Sequence, residues 1–302
     1  MRAVHWLALV ALAAPAAARV DPGAPGRFTA DHTTVVVIDP GRARTLVTDV
    51  WVPAVPSDRR FPLVLVAHGN CGSRTNYDFL TVHLASHGFI VAAPDFPGLT
   101  RDDCASGAPR GDFATGPPLD LRFLHEALRD AALAPTIARH IRGRRTGLAG
   151  HSLGGLAVLD AALLDARFRA VVALAPAASA SLGVELAMKR PRRAVLAMGG
   201  TADTTLPFPV TVHLFEALAP PGFLIGITGG THSGFTDVEP RLTEAALGRQ
   251  HDIVRRYAMA FFFRYLAGAR RFDRFLTAHD AEGLGQDVTL SVARRRSGLR
   301  AR

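Results

Sequence analysis

Apolar residues in this chain come in short runs broken by Gly, Pro, Asp and Asn. Four early runs, 33–38, 45–52, 63–67 and 89–93, are rich in β-branched residues and bounded by turn formers, which predicts strands. The first two are adjacent and predict a hairpin. Further on, apolar runs at 146–149, 169–174, 193–198 and 223–228 predict strands. They alternate with longer stretches of helical periodicity at 76–86, 119–132, 152–164, 209–219 and 250–266. Such alternation implies crossover units and a mostly parallel central sheet with helices on both faces, the α/β class. Ligands then collect beyond the carboxyl ends of the strands.

Length and composition fit one domain of this class: 302 residues, 48% of them hydrophobic, can bury a sizeable core. Residues 1–18 read as a signal peptide, with Arg2, an apolar run from Trp6 to Ala14 and Ala16-Ala17-Ala18 before Arg19. Pro15 and Arg19 cut that run below the roughly 18 residues of a membrane anchor, so the expectation is a secreted or periplasmic protein without a stable anchor. Residues 19–31 are expected to be a flexible lead-in, 32–278 the catalytic domain, and 279–302 a basic, disordered tail. The net charge of +9 is diffuse and almost wholly arginine, Lys189 being the single lysine. Its densest cluster is Arg294, Arg295, Arg296, Arg300 and Arg302. No nucleic-acid motif or interleaved aromatic series accompanies it, and no nucleic-acid partner is expected. Nothing in the sequence sets the oligomeric state.

Chemistry gathers at the predicted strand ends. The run 146–149 leads into Gly150-His151-Ser152-Leu153-Gly154 and then a helix, the G-x-S-x-G turn that holds a serine clear of a sheet. The run 193–198 ends in a loop whose only carboxylate is Asp203, and the run 223–228 in Gly229-Gly230-Thr231-His232. Nucleophile, acid and base thus follow in the order Ser152, Asp203, His232. A serine hydroxyl attacks only when an imidazole takes its proton, and the imidazole needs a carboxylate to fix its tautomer. The run 63–67 ends in His68-Gly69-Asn70-Cys71-Gly72, whose backbone N–H groups suit an oxyanion hole together with Leu153. Either Asn70 or Cys71 supplies the first donor. Asp95, before Pro and Gly, reads as a turn former.

The strands ending near Cys71 and Asp95 should be neighbours, which brings Cys71 toward the loop of Cys104. A disulfide bracing the oxyanion loop is expected, in keeping with secretion. His83 and His87 lie four apart on a helix, but no Glu follows His83 and no third ligand is nearby, so no metal is expected. Phe261, Phe262, Phe263 and Tyr265 read as core. No cofactor is required.

The segments "FPLVLVAHGNCGSRTNYDFLTVHLASHGFIVAAPDFPG", "GLAGHSLGG", "GGTADTTLP" and "GGTHSGF" together resemble the α/β-hydrolase superfamily. The resemblance is to the subgroup of predicted bacterial dienelactone hydrolases, platelet-activating-factor acetylhydrolase-like esterases and cutinase-type polyester hydrolases, and it spans roughly 33–275. It implies the α/β-hydrolase fold, Ser152, Asp203 and His232 as triad, and a first oxyanion donor after His68-Gly69. Dienelactone hydrolases carry cysteine where this chain has Ser152. Cutinase-type enzymes carry an aromatic residue where it has Asn70 and Cys71. No long lid insertion is read between Ala175 and Arg193. The expectation is a serine esterase acting on small-molecule or polymeric esters. A polyester hydrolase, a serine peptidase of the prolyl oligopeptidase kind and a non-catalytic basic binding protein are the alternatives.

Overall fold

The computed structural model describes residues 20–55, 59–107, 111–177 and 193–293. The segment read as a signal peptide, most of the region read as lacking a lid and the arginine cluster of the tail lie outside them. Nine strands form one sheet: β1 (Ala30–Asp39), β2 (Arg44–Pro53), β3 (Phe61–Ala67), β4 (Ile90–Pro94), β5 (Ile141–His151), β6 (Phe168–Leu174), β7 (Ala194–Gly200), β8 (Gly222–Ile227) and β9 (Val288–Val292). Their order is β1-β2-β4-β3-β5-β6-β7-β8-β9. The six strands from β4 to β8 are parallel, and β1, β2 and β9 add antiparallel edges. This is the α/β-hydrolase fold, with helices packed around a mostly parallel sheet.

Alternation along the strands supplies both faces of the core. Successive side chains of a strand point to opposite faces. Val64 and Val66 of β3 therefore join Tyr77, Leu80, Tyr257, Phe261 and Phe262 on one side, while Leu63 and Leu65 join Leu121, Leu124, Val158 and Leu159 on the other. The helices Asp78–Ser86 and Glu244–Tyr265 cover the first face, and Gly116–Ala127, Leu153–Leu164 and Phe208–Ala217 the second. Phe261 and Phe262 are fully buried, as their reading as core requires. Among the described residues no helix is long and apolar enough to cross a membrane.

Two expectations about the ends need correction. The segment from residue 20 to β1 is docked: Gly26 N–H donates to Ser86 Oγ and Phe28 N–H to Ser86 O, both at 2.9 Å. His83 and His87, the pair with metal-ligand spacing, each place Nε2 at 2.8 Å from a carbonyl of this segment, Pro22 O and Ala24 O. A Pro- and Gly-rich composition gives no hint of such anchoring, because the bonds come from the helix it lies against. At the other end, the expected disordered tail from residue 279 instead carries the helix Ala278–Glu282 and β9. Val288 and Leu290 are buried against β8. Val288, Leu290 and Val292 alternate with polar residues, a legible strand signal that the basic composition of the chain just beyond it outweighs.

Candidate active site

Ser152 sits between β5 and the helix Leu153–Leu164 with φ 58° and ψ −123°. That conformation is strained for a residue with a side chain and recurs at functional turns. The turn is held by Ser152 N–H donating to Leu174 O at 2.9 Å. The motif glycines are steric requirements. A Cβ on Gly150 would lie 2.3 Å from Gly154 O, and one on Gly154 2.4 Å from both Ala67 O and His68 O. Only hydrogen at these positions lets the helix start press against β3 and β5. Leu153, the first helical residue, has an N–H with no acceptor inside the helix.

Asp203 follows β7 and His232 follows β8, and the two loops meet through backbone. A Cβ on Gly200 would stand 2.1 Å from Gly230 O, and Ala202 N–H donates to Gly230 O at 2.9 Å. His232 Nδ1 then lies 2.8 Å from Asp203 Oδ2. Asp203 Oδ1 accepts from Thr205 N–H and Leu206 N–H, both at 2.8 Å. Burial alone would raise the Asp203 pKa, but the bonds from His232, Leu206 and Thr205 outweigh it and hold the carboxyl below its ordinary range. Ser152 Oγ and His232 Nε2 make no hydrogen bond to any described residue. His151, which precedes Ser152, links the two: its ring lies tilted against that of His232, 4.6 Å between centres.

The loop after β3 carries its own clamp. Phe96 N–H donates to His68 Nε2 at 2.9 Å, so the ring proton sits on Nδ1, which donates to Gly69 O at 2.7 Å. Burial lowers the His68 pKa and keeps the ring neutral in this role. Gly69 N–H donates to Tyr77 Oη at 3.1 Å, and Tyr77 Oη lies 3.2 Å from His151 Nδ1. Burial pushes the Tyr77 pKa up and the His151 pKa down to about 3, so the phenol keeps its proton and donates to a neutral imidazole. One buried hydroxyl thereby ties the glycine-rich loop to the residue beside Ser152. A Cβ on Gly69 would approach Ser152 Cβ to 3.1 Å, so the loop lies directly against the candidate nucleophile.

Of the two expected oxyanion donors in this loop, Cys71 is corrected. Its N–H donates to Leu99 O at 3.0 Å and is not available to a substrate. Asn70, exposed at the lip of the site, is the residue of the pair that stands next to Gly69. Cys71 and Cys104 form the expected disulfide, reinforced by the bridge between Gly72 and Thr100. Asp95, read as the holder of its own turn, instead holds the loop after β3: its Oδ1 accepts from Arg74 N–H at 2.7 Å, and its Oδ2 pairs with the Arg74 guanidinium.

Several supporting groups escape sequence reasoning. Gln250 brackets the backbone of Thr231, accepting from its N–H at 3.1 Å and donating to its carbonyl at 3.0 Å. Thr231 Oγ1 donates to the buried Glu239 at 2.9 Å. Asp237 caps the helix Asp78–Ser86 from outside, accepting from Asp78 N–H at 2.7 Å and Phe79 N–H at 2.9 Å. These residues come from distant stretches of chain and carry no local motif. Only His151 was visible, as the variable position of G-x-S-x-G. An imidazole fixed by a carboxylate at one strand end, and a hydroxyl on a strained turn at a helix N-terminus at another, are the parts needed to move a proton and stabilise a developing oxyanion.

The model of the alpha/beta hydrolase family matches residues 63–297. The chain is also similar to a bis(hydroxyethyl) terephthalate hydrolase of Streptomyces coelicolor, with 25% identity over 227 residues covering 75% of this chain. It spans 64% of the length of that relative.

Proposed function

Since the chain belongs to the alpha/beta hydrolase family, we propose that it is a secreted serine esterase that forms an acyl-enzyme on Ser152. His232 Nε2 takes the proton from Ser152 Oγ as it attacks the ester carbonyl, and Asp203 holds the ring in the tautomer that leaves Nε2 free to accept. The N–H groups of Leu153 and Asn70 receive the charge that collects on the carbonyl oxygen. One such donor is worth roughly 2.7–4 kcal/mol of barrier. His232 returns the proton to the leaving alcohol and then activates water to release the acid.

The observation that carries this reading is the 2.8 Å bond between His232 Nδ1 and Asp203 Oδ2, on loops adjoining a serine forced into a positive φ. The Cys71–Cys104 bridge supports export to an oxidising compartment. A fluorophosphonate probe tests the reading. It labels the folded protein, and Ser152→Ala abolishes both labelling and hydrolysis of 4-nitrophenyl esters. Absence of labelling in folded protein would leave a binding protein of the same fold, and turnover of amides in place of esters would make it a peptidase.

A second reading concerns the substrate. The terephthalate-ester hydrolase named among its relatives favours soluble aryl diesters and short polyester fragments. Asn70, where cutinase-type enzymes place an aromatic ring, favours accessible esters over solid polymer. A chain-length series of nitrophenyl esters beside bis(hydroxyethyl) terephthalate separates the two.

A further inference from the structure

Much of the surplus positive charge lies at the end of the sheet opposite the candidate active site. Arg59 and Arg60 precede β3, and Arg142, Arg144 and Arg145 occupy the exposed first half of β5. Parallel strands share their N-terminal edge, so these arginines cluster away from the rim of Ser152, Asp203 and His232. Against this edge lies a cleft of about 510 Å³ walled by Arg27, Arg59, Arg60, Arg142 and Arg271 around Phe28. The walls come from five separate segments: the docked lead-in, the approach to β3, the stretch from His87 to Phe89, the start of β5, and the end of the long helix with the turn after it.

No carboxylate among the described residues pairs with any of these five guanidinium groups. The one acidic residue on the wall, Asp21, is engaged by Arg256 at 3.0 Å. Three of the cations are already fixed in place. Arg27 stands 4.8 Å from the centre of the Phe28 ring, Arg59 5.2 Å from Phe28 and 5.4 Å from Phe61, and Arg271 5.0 Å from Phe272. Cation–π contacts of this kind hold a guanidinium without neutralising it, so little order remains to be imposed when an anion arrives.

The polar side chains of the cleft are nearly all donors. Asp21 is taken, and His87 Nε2 is bound to Ala24 O. A sugar polymer or a nucleic-acid base brings donors of its own, which would find few side-chain acceptors here. A chain of phosphates brings acceptors alone, and guanidinium groups meet phosphate in paired hydrogen bonds. Concave walls also admit a strand more readily than a flat bilayer. We infer that this cleft is a binding site for a segment of a linear polyphosphate chain, and that the protein held there turns its Ser152 rim outward.

The test is binding of full-length mature protein to linear inorganic polyphosphate, followed by fluorescence anisotropy over a range of salt. Each phosphate neutralised on a single chain contributes about −0.7 to the slope of log K against log salt, so five arginines give a slope of about −3.5. Replacing Arg59, Arg60 and Arg142 together by Gln should reduce the steepness by about 2 and weaken binding on the order of tenfold or more at moderate salt. Ester hydrolysis should be unchanged, since none of the three touches the Ser152 rim, and the melting temperature should drop by no more than about 2–4 °C as Arg59 gives up its ring contacts with Phe28 and Phe61. The control replaces Arg101, Arg249 and Arg255 by Gln, the same loss of charge elsewhere, and should leave affinity within about twofold. A chain ending at Ala293, without the tail arginines, should also bind. The inference is overturned if the control or the shortened chain loses as much as the cleft variant, which would assign binding to diffuse charge or to the tail. It is equally overturned if the wild type binds duplex DNA or anionic phospholipid vesicles more tightly than polyphosphate at equal phosphate concentration.

Discussion

Replacing both Cys71 and Cys104 by alanine should loosen the whole domain and the lip of the active site together. The bridge spans a sequence separation of 33 residues. For a loop of that length the chain-entropy relation gives about 3.7 kcal/mol of stabilisation through the unfolded state. Typical domains are stable by 5–15 kcal/mol, so the loss takes a large share. At roughly 2–4 °C per kcal/mol for a domain of this size, the melting temperature should fall by about 8–15 °C. Locally, the bridge backs three backbone contacts: Cys71 N–H to Leu99 O and Arg101 N–H to Gly72 O, both 3.0 Å, and the Gly72–Thr100 pairing. All three lie within two residues of Asn70 or of the loop facing it, so without the bridge this lip frays first. The double variant should therefore show lower kcat on 4-nitrophenyl acetate with little change in KM, because the oxyanion donor acts in the transition state. Urea unfolding and steady-state kinetics measure the two effects. A variant within 1 kcal/mol of wild type would refute the entropic argument, and full stability loss with unchanged kcat would refute the bracing of the loop.

Tyr77→Phe keeps the ring and removes the hydroxyl that joins Gly69 N–H to His151 Nδ1. At about 1–3 kcal/mol for each of the two buried groups left unpaired, stability should fall by roughly 2–6 kcal/mol, with kcat reduced and KM held, as urea unfolding and initial rates would show. Acid should weaken the fold in two stages. Burial pushes His83 and His125 down to about 4 and His151 to about 3. Their neutral forms contribute stability that is fully present above about pH 6.5 and is lost as pH falls through 4. Glu239, held down at about 2 by its bonds from Arg241, adds a second loss between about pH 4.5 and 2. A urea midpoint that stays flat from pH 7 to 4 would contradict the first stage.

The strand and helix pattern was legible because each inner strand is a short apolar run with turn residues at both ends, and because the glycines of the Ser152 turn are fixed by contacts of 2.3–2.4 Å that no side chain survives. Asp203 and His232 could be read because each stands alone of its kind in a loop at a strand end. The groups that hold the loop after β3 and the backbone before His232 could not. Tyr77, Gln250 and Glu239 act through distances set by the packing of two helices and a loop, and their spacing along the chain carries no trace of it. Cys71 was misjudged as a donor for the same reason, since the carbonyl that claims its N–H belongs to Leu99. The ends were misread because anchoring there is supplied by partners elsewhere: Ser86, His83 and His87 for the first residues, and the open edge of β8 for the last.

That edge strand has a consequence for how His232 is held. β9 pairs with β8, and Thr228, four residues before His232, is bound by Asp287 O at 3.0 Å and Gln286 O at 2.6 Å. The seat of His232 is thus braced by residues 58 positions further along the chain than Thr228. Peeling β9 from β8 would take that brace away and leave the Ser152 turn intact, so the placing of the imidazole depends on the sheet edge as well as on the turn that carries the serine.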